Sequence, residues 1–262
     1  TSGNADNVVM AGAHLDSVNA GPGINDNGSG SAAIPEVAEQ TAKVRPVNAV
    51  RFAWWGAEES GLVGSEYYVD NLTEEERDQI ALYLNFDMVG SPNHVFFVYD
   101  GDDSDLVGEG AGPEGSAQIE ETFEAFYNQR GIPFKGTDFS GRSDYGPFIA
   151  NLIPSGGLFT GAEDVKTADE AALWGGTAGQ PYDQTPGGCQ GLTLGPPVFS
   201  TSSPAASSAW SRIASPDNRG EGPRASSTTR ATTWPATPTR TTTTMHSRST
   251  PTPSGSACSS TR

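Results

Sequence analysis

The sequence predicts an α/β domain with a largely parallel sheet over residues 1–183, followed by a tail of another character over 184–262. Two observations predict it. Up to Asp183, short continuous apolar runs of the kind doubly buried strands need alternate with stretches of helical periodicity. At Asp183 the composition then changes abruptly. Thirty acidic against 8 basic residues give −22 before that point, and 2 against 7 give +5 after it, which together make the −17 of the chain. The front part alone is long enough for one compact core.

Val8 to Ala13 is the first apolar run, and a Gly/Asn/Asp-rich loop follows from Gly21 to Gly30. Ser31 to Val44 reads as a helix, which calls for Pro35 in its first turn, because proline has no N–H to give further in. Ala49 to Gly56 is a second buried strand, and Leu62 to Leu72 is helical. Thr73 with Glu76 three residues on is a capping-type start for the next helix. Leu82 to Val89 and Val95 to Tyr99 are further strands. Ala117 to Arg130 is a helix with Ile119, Phe123 and Phe126 on one face, closed by Gly131, and Ile153 to Thr160 is a last strand. In such sheets, sites form beyond the carboxyl ends of the strands.

The acidic balance argues against nucleic acid or anionic membranes as partners and fits a soluble protein with many metal-ligand carboxylates. No apolar run approaches the ~20 residues that span a bilayer. With neither an initiator Met nor a signal peptide, the chain is expected to start inside a longer protein. Cys189 and Cys258 both lie in the tail and fix neither redox compartment nor a disulfide.

Several chemistry-bearing residues sit at predicted strand ends. His14 and Asp16 follow the first strand in Ala-His-Leu-Asp-Ser, a spacing that supplies an imidazole ligand and the carboxylate to orient it, and equally a plain loop histidine. Asp26 lies in Gly-Ile-Asn-Asp-Asn-Gly-Ser-Gly, where it suits a ligand or a helix cap. Glu58 and Glu59 end the second strand, and two adjacent carboxylates there are costly unless a cation or a proton receives them. Asp87 interrupts an apolar strand, which suits a structural ion pair or a metal ligand. One imidazole and several carboxylates, each at the end of a different strand, match a hydrolytic metal site.

Four segments carry a family resemblance: Ala-His-Leu-Asp-Ser, Gly-Ile-Asn-Asp-Asn-Gly-Ser-Gly, Trp-Trp-Gly-Ala-Glu-Glu-x-Gly-Leu-x-Gly-Ser and Asn-Phe-Asp-Met-Val-Gly-Ser. From about Val8 to Asp183 the chain resembles the M28 peptidases, closest to the secreted actinomycete aminopeptidases that hold two zinc ions. The resemblance implies a three-layer fold, a mostly parallel mixed sheet flanked by helices, here incomplete at both ends. It implies that His14 and Asp87 hold one zinc, that Asp26 bridges both ions and that Glu59 holds the second. Asp16 would orient His14, and Glu58 would be the general base. Arg142 in Gly-Arg-Ser-Asp matches a position near the substrate, although a surface Arg paired with Asp144 is the plainer reading. Ser155 to Ala162 and Trp174 to Gln180 match walls of an apolar pocket. The implied substrates are peptide or protein N-termini with bulky apolar first residues, and the implied protein is a secreted monomer.

The sequence departs from the family after Asp183. The second zinc's remaining ligand is a His in Cys-Tyr-His-x-x-Cys-Asp, and Gln184-Thr-Pro-Gly-Gly stands there instead. His94 and His246 lie in no matching context. The tail reads by composition as disordered or mucin-like. A shifted reading frame explains it better. In that frame Arg219 to Ser226 permits Trp-Gly-Gly-Thr-Ala-Gly-Gln, and Ser227 to Thr237 permits a Cys-Tyr-His-Leu-Ala-Cys-Asp segment. Because the first of these repeats what Trp174 to Gln180 already encodes, a partial duplication or a misjoined sequence must be added to the slip.

Overall fold

The computed structural model describes residues 3–183 apart from Ala20 and Glu109. The tail, with Cys189, Cys258, His246 and the shifted-frame segments, lies outside the described residues.

The strands are β1 (Asn4–His14), β2 (Asn48–Trp55), β3 (Ile80–Phe86), β4 (Phe97–Tyr99), β5 (Lys135–Thr137) and β6 (Ser155–Phe159). The helices are α1 (Gly28–Val44), α2 (Val63–Asp70), α3 (Glu74–Asp78), α4 (Ser116–Arg130), α5 (Gly146–Ala150) and α6 (Ala168–Trp174). One six-stranded sheet runs in the order β2-β1-β3-β6-β4-β5. All its pairings are parallel except β4 with β6, so the sheet is mixed and mostly parallel.

Strand β1 is buried without a break from Val8 to His14, which explains why its sequence is a continuous apolar run and not an alternating one. Val9, Ala11 and Ala13 face one layer, made by Ile34 and Val37 of α1 and by Ile119, Phe123, Phe126 and Tyr127 of α4. Met10 faces the other, with Val69 of α2 and Phe148 of α5. Helices therefore cover both faces, giving three layers. Each large apolar side chain so buried contributes ~1.5–3 kcal/mol.

Helix α1 departs from the sequence reading. It begins at Gly28, which leaves Pro35 as its eighth residue and not in its first turn. The loop decides this, since Asn27 caps the helix by accepting the Gly30 N–H at 2.9 Å. The Ser31 carbonyl, which a residue other than proline at position 35 would satisfy, accepts the Trp54 indole N–H at 3.2 Å instead. The interior proline is thus compensated from β2. Strand β4 starts at Phe97, two residues later than its apolar run, and the short elements β5, α5 and α6 carry no period long enough to read.

Candidate metal centre

The three neighbouring strands β2, β1 and β3 end side by side, and their ends deliver the site. His14 closes β1 opposite Trp55 and is 1% exposed. Asp87 directly follows the last residue of β3, and the turn after β2 carries Glu58 and Glu59. Asp26 arrives from the loop before α1, held by buried asparagines on either side. Asn25 accepts the Gly90 N–H and donates to Ser91 Oγ, while Asn27 donates to the Phe86 carbonyl and accepts the Met88 N–H. The peptide between Asp26 and Asn27 is cis. Gly30 is required at this seam, because a Cβ there would collide with the Phe86 carbonyl oxygen.

The side chains converge on one ring nitrogen. His14 Nε2 lies 3.1 Å from Asp26 Oδ1, 3.2 Å from Asp87 Oδ1 and 3.9 Å from Glu58 Oε2. His14 Nδ1 lies 3.0 Å from the Asp16 carbonyl oxygen. A carbonyl only accepts, so Nδ1 carries a proton, and Nε2 is the nitrogen turned to the carboxylates. The expected Asp16 carboxylate contact is looser, at 3.7 Å. That carboxylate instead accepts the Glu58 N–H at 3.0 Å and the Glu59 N–H at 3.2 Å. Asp16 therefore touches both sides of the site, the ring through its backbone and the glutamate turn through its side chain. Glu59 lines the same cavity and accepts the Val18 N–H at 3.2 Å.

The electrostatics follow from the crowding of carboxylates. Burial alone would lower the His14 imidazole, but hydrogen bonds to Asp26 and Asp87 and the charges of Asp87 and Glu58 push it up to about 11. Burial, with the charge of Asp87 added and that of His14 opposed, pushes the Glu58 carboxyl up to about 8. Burial and the charge of Asp26 also raise Glu59. One imidazole among four carboxylates is a donor set of nitrogen and oxygen in negative excess, which fits a zinc site. One ligand atom each of His14, Glu58 and Asp87 lies within 4.8 Å of the others, and Asp26 stands as near to His14 as Asp87 does.

A relay that sequence reading missed supports Asp87. The Trp55 indole donates to Tyr83 Oη at 2.8 Å, and the phenol donates to Asn85 Oδ1 at 3.1 Å. The Asn85 amide donates to Ser143 Oγ at 2.8 Å, and the serine donates to Asp87 Oδ2 at 2.5 Å. All four donors point toward the carboxylate, so each bond polarises the next. Gly12 leaves room for it, since a Cβ there would meet Tyr83 Oη and Trp55 Nε1. Asn85 sits within a quoted motif, yet a serine 56 residues from Asp87 gives no sequence signal of the contact.

A cavity of about 390 Å³ opens over these groups, with Met88, Tyr99, Tyr145 and Phe159 among its apolar lining. Arg142 lines it too, but its partner is Glu163 at 2.7 Å and not Asp144, and the pair is exposed. Phe159 and Ala162 of the expected wall line the cavity, whereas Trp174 to Gln180 do not. That segment is fastened elsewhere, by Trp174 Nε1 on the Pro133 carbonyl and by Asn93 on the Thr177 backbone. The His94 ring lies tilted against Phe96, 4.9 Å between centroids. A second acidic group, Asp100, Asp102 and Glu120, is spent on loop N–H groups of residues 101, 102, 104 and 105.

An imidazole and carboxylates thus gather at strand ends of a three-layer, mostly parallel mixed sheet, an α/β fold that comparison with known proteins places in a family. The description "Peptidase family M28" matches residues 1–185. An aminopeptidase of Pseudomonas aeruginosa is 60% identical over 182 residues, covering 70% of this chain and 34% of that protein. Leucine aminopeptidase 2 of Arthroderma otae is 56% identical over 182 residues, covering 70% and 36%. A solved zinc aminopeptidase from Bacillus subtilis superposes with a TM-score of 0.55 at 26% identity, covering 73% of this chain and 41% of that one. The chain belongs to peptidase family M28. It spans about a third of the length of the curated relatives it matches.

Proposed function

We propose that this chain forms the catalytic core of a secreted, monomeric, zinc-dependent aminopeptidase that removes bulky apolar residues from peptide or protein N-termini. The convergence of Asp26, Asp87 and Glu58 on His14 Nε2 beneath an open cavity carries the reading. In it, His14, Asp87, Asp26 and Glu59 would hold the zinc, His14 and Asp87 one ion and Glu59 the other. When bound, the ions supply polarisation of the scissile carbonyl and activation of water. The chain's residues do the rest. Glu58 takes the proton of the attacking water on its carboxylate and delivers it to the leaving amine, a task suited to a carboxylate that lines the cavity beside His14. Asp87 is kept aimed by the Ser143 hydroxyl, and Asp16 keeps the Glu58 turn in place. Arg142, at the cavity mouth, orients the substrate, and the negative excess of the site receives its free α-amino group. The first side chain rests against Met88, Tyr99, Tyr145 and Phe159. Among the described residues no helix is long and apolar enough to cross a membrane.

A second reading, a peptide-binding remnant without activity, is favoured by one observation: among the described residues, His14 is the sole imidazole in the cluster. Hydrolysis of leucyl-anilide against its N-blocked form, with chelator and after zinc is returned, separates the two. The enzyme reading requires hydrolysis of the free amine alone, lost with chelator and recovered with zinc. Peptide binding without hydrolysis would leave the remnant, and equal hydrolysis of the blocked substrate would remove the exopeptidase.

A further inference from the structure

Asp144 is a buried carboxyl that the mechanism above leaves unused. It is 1% exposed and directly follows Ser143, the partner of Asp87. Its Oδ1 lies 2.5 Å from Ser65 Oγ, early in α2, and its Oδ2 has no hydrogen-bond partner among the described residues. Such half-satisfied burial is costly and uncommon, so it points to a constraint on the surrounding structure.

The constraint is the turn that joins β2 to α2. Its carbonyls bond inward, Glu58 with the Gly61 and Leu62 N–H groups and Gly56 with the Gly64 N–H. Ala57 and Leu62 both stand in the left-handed region, at φ 58° and 60°, which non-glycine residues keep only where their surroundings over-determine them. Asp16 fixes the turn from one side through the Glu58 and Glu59 N–H groups. The Asp144–Ser65 contact fixes its far end, and Ser65 Oγ also reaches the Leu62 carbonyl at 3.2 Å.

We propose that Asp144 is a positioning residue of the metal centre, which through Ser65 holds the turn bearing Glu58 and Glu59 in register with the loop whose Ser143 holds Asp87. The role rests on the metallopeptidase reading above. Ser65 has one hydroxyl proton and two acceptors, Asp144 Oδ1 and the Leu62 carbonyl. A protonated Asp144 satisfies both, by donating to Ser65 while Ser65 donates to Leu62. Burial pushes this carboxyl up to about 7, with the charges of Asp87 and Asp16 and against the Ser65 hydrogen bond and the charge of His14. Near neutrality an amide of the same shape therefore keeps the link, and a methyl group does not.

The test is a Co²⁺ titration of the full chain, followed by visible absorption, on the unaltered protein and on Asp144→Ala, Asp144→Asn, Ser65→Ala and the double alanine variant. Asp144→Ala and Ser65→Ala should each weaken Co²⁺ binding roughly 10- to 100-fold. The double variant should be no worse than the weaker single, because both remove one link. Asp144→Asn should recover most of the affinity and the parent spectrum. A lower Tm with unchanged affinity and spectrum would make Asp144 a packing residue and overturn the role. So would Ser65→Ala binding like the parent, which decides the matter even where Asp144→Ala does not fold. A parent chain that binds no Co²⁺ would overturn the metal centre itself and this role with it.

Discussion

Glu58 is 8% exposed and faces His14 Nε2 across 3.9 Å, so its carboxyl feels burial first and the charge of Asp87 next. Its place over the cavity beside His14 lets its carboxylate take a proton from water there. Replacing it by glutamine keeps the shape and the backbone bond to Asp16 but removes the proton acceptor. Glu58→Gln should lower kcat on leucyl-anilide by ~10²–10⁴-fold while zinc content by elemental analysis stays unchanged. A proportional loss of zinc would make Glu58 a ligand and not a base. Glu58, His14 and Asp87 stood out because each interrupts or ends an apolar run, where chemistry must account for it, whereas Asp26 lies in a polar loop. The details were not legible. That Asp16 meets His14 through its carbonyl and the Glu58–Glu59 turn through its carboxylate is a matter of loop geometry, which residue types do not encode.

At the scale of elements, the start of α1 shows how a loop places one carboxylate of the cluster. Asn27 does three things at once: it caps α1 at Gly30, donates to the Phe86 carbonyl and accepts the Met88 N–H. Asn27→Ala should therefore cost about 2–3 kcal/mol, the loss of a cap together with the partner of the buried Met88 N–H. A denaturant melt measures it, and a loss under half a kcal/mol would show that the seam relaxes. The same element shows where sequence reading stops. Proline at a helix interior is disfavoured on local grounds, so a start at Ser31 was the natural inference. Trp54 reverses it by taking the freed Ser31 carbonyl from another element. Long runs such as β1 and α4 declared themselves, while β5, Lys-Gly-Thr, has neither alternation nor length and exists because β4 offers it an edge.

At the scale of the whole molecule, three titratable groups in and beside the cluster lean one way. His14 is raised from 6.5 to about 11, so its contribution to stability is fully present below its unfolded value and is lost as pH rises through 11. Glu58 and Asp144 are raised to about 8 and about 7, so the fold is favoured while they are protonated and loses stability as pH climbs through those values. The domain stripped of metal by a chelator should therefore melt lower as pH rises from about 6 to 9. A divalent cation held by the cluster would reverse the logic, because a neutral His14 and ionised carboxylates would have to shed protons to hold it, so its affinity would grow with pH. The prediction is a difference of two melting curves. The rise in Tm on adding zinc in place of chelator should widen steadily between about pH 6 and pH 9. A zinc-induced rise that is flat or shrinks over that range would mean the ion is held away from His14, Glu58 and their neighbours, and the cluster would then be a network of hydrogen bonds and not a metal centre.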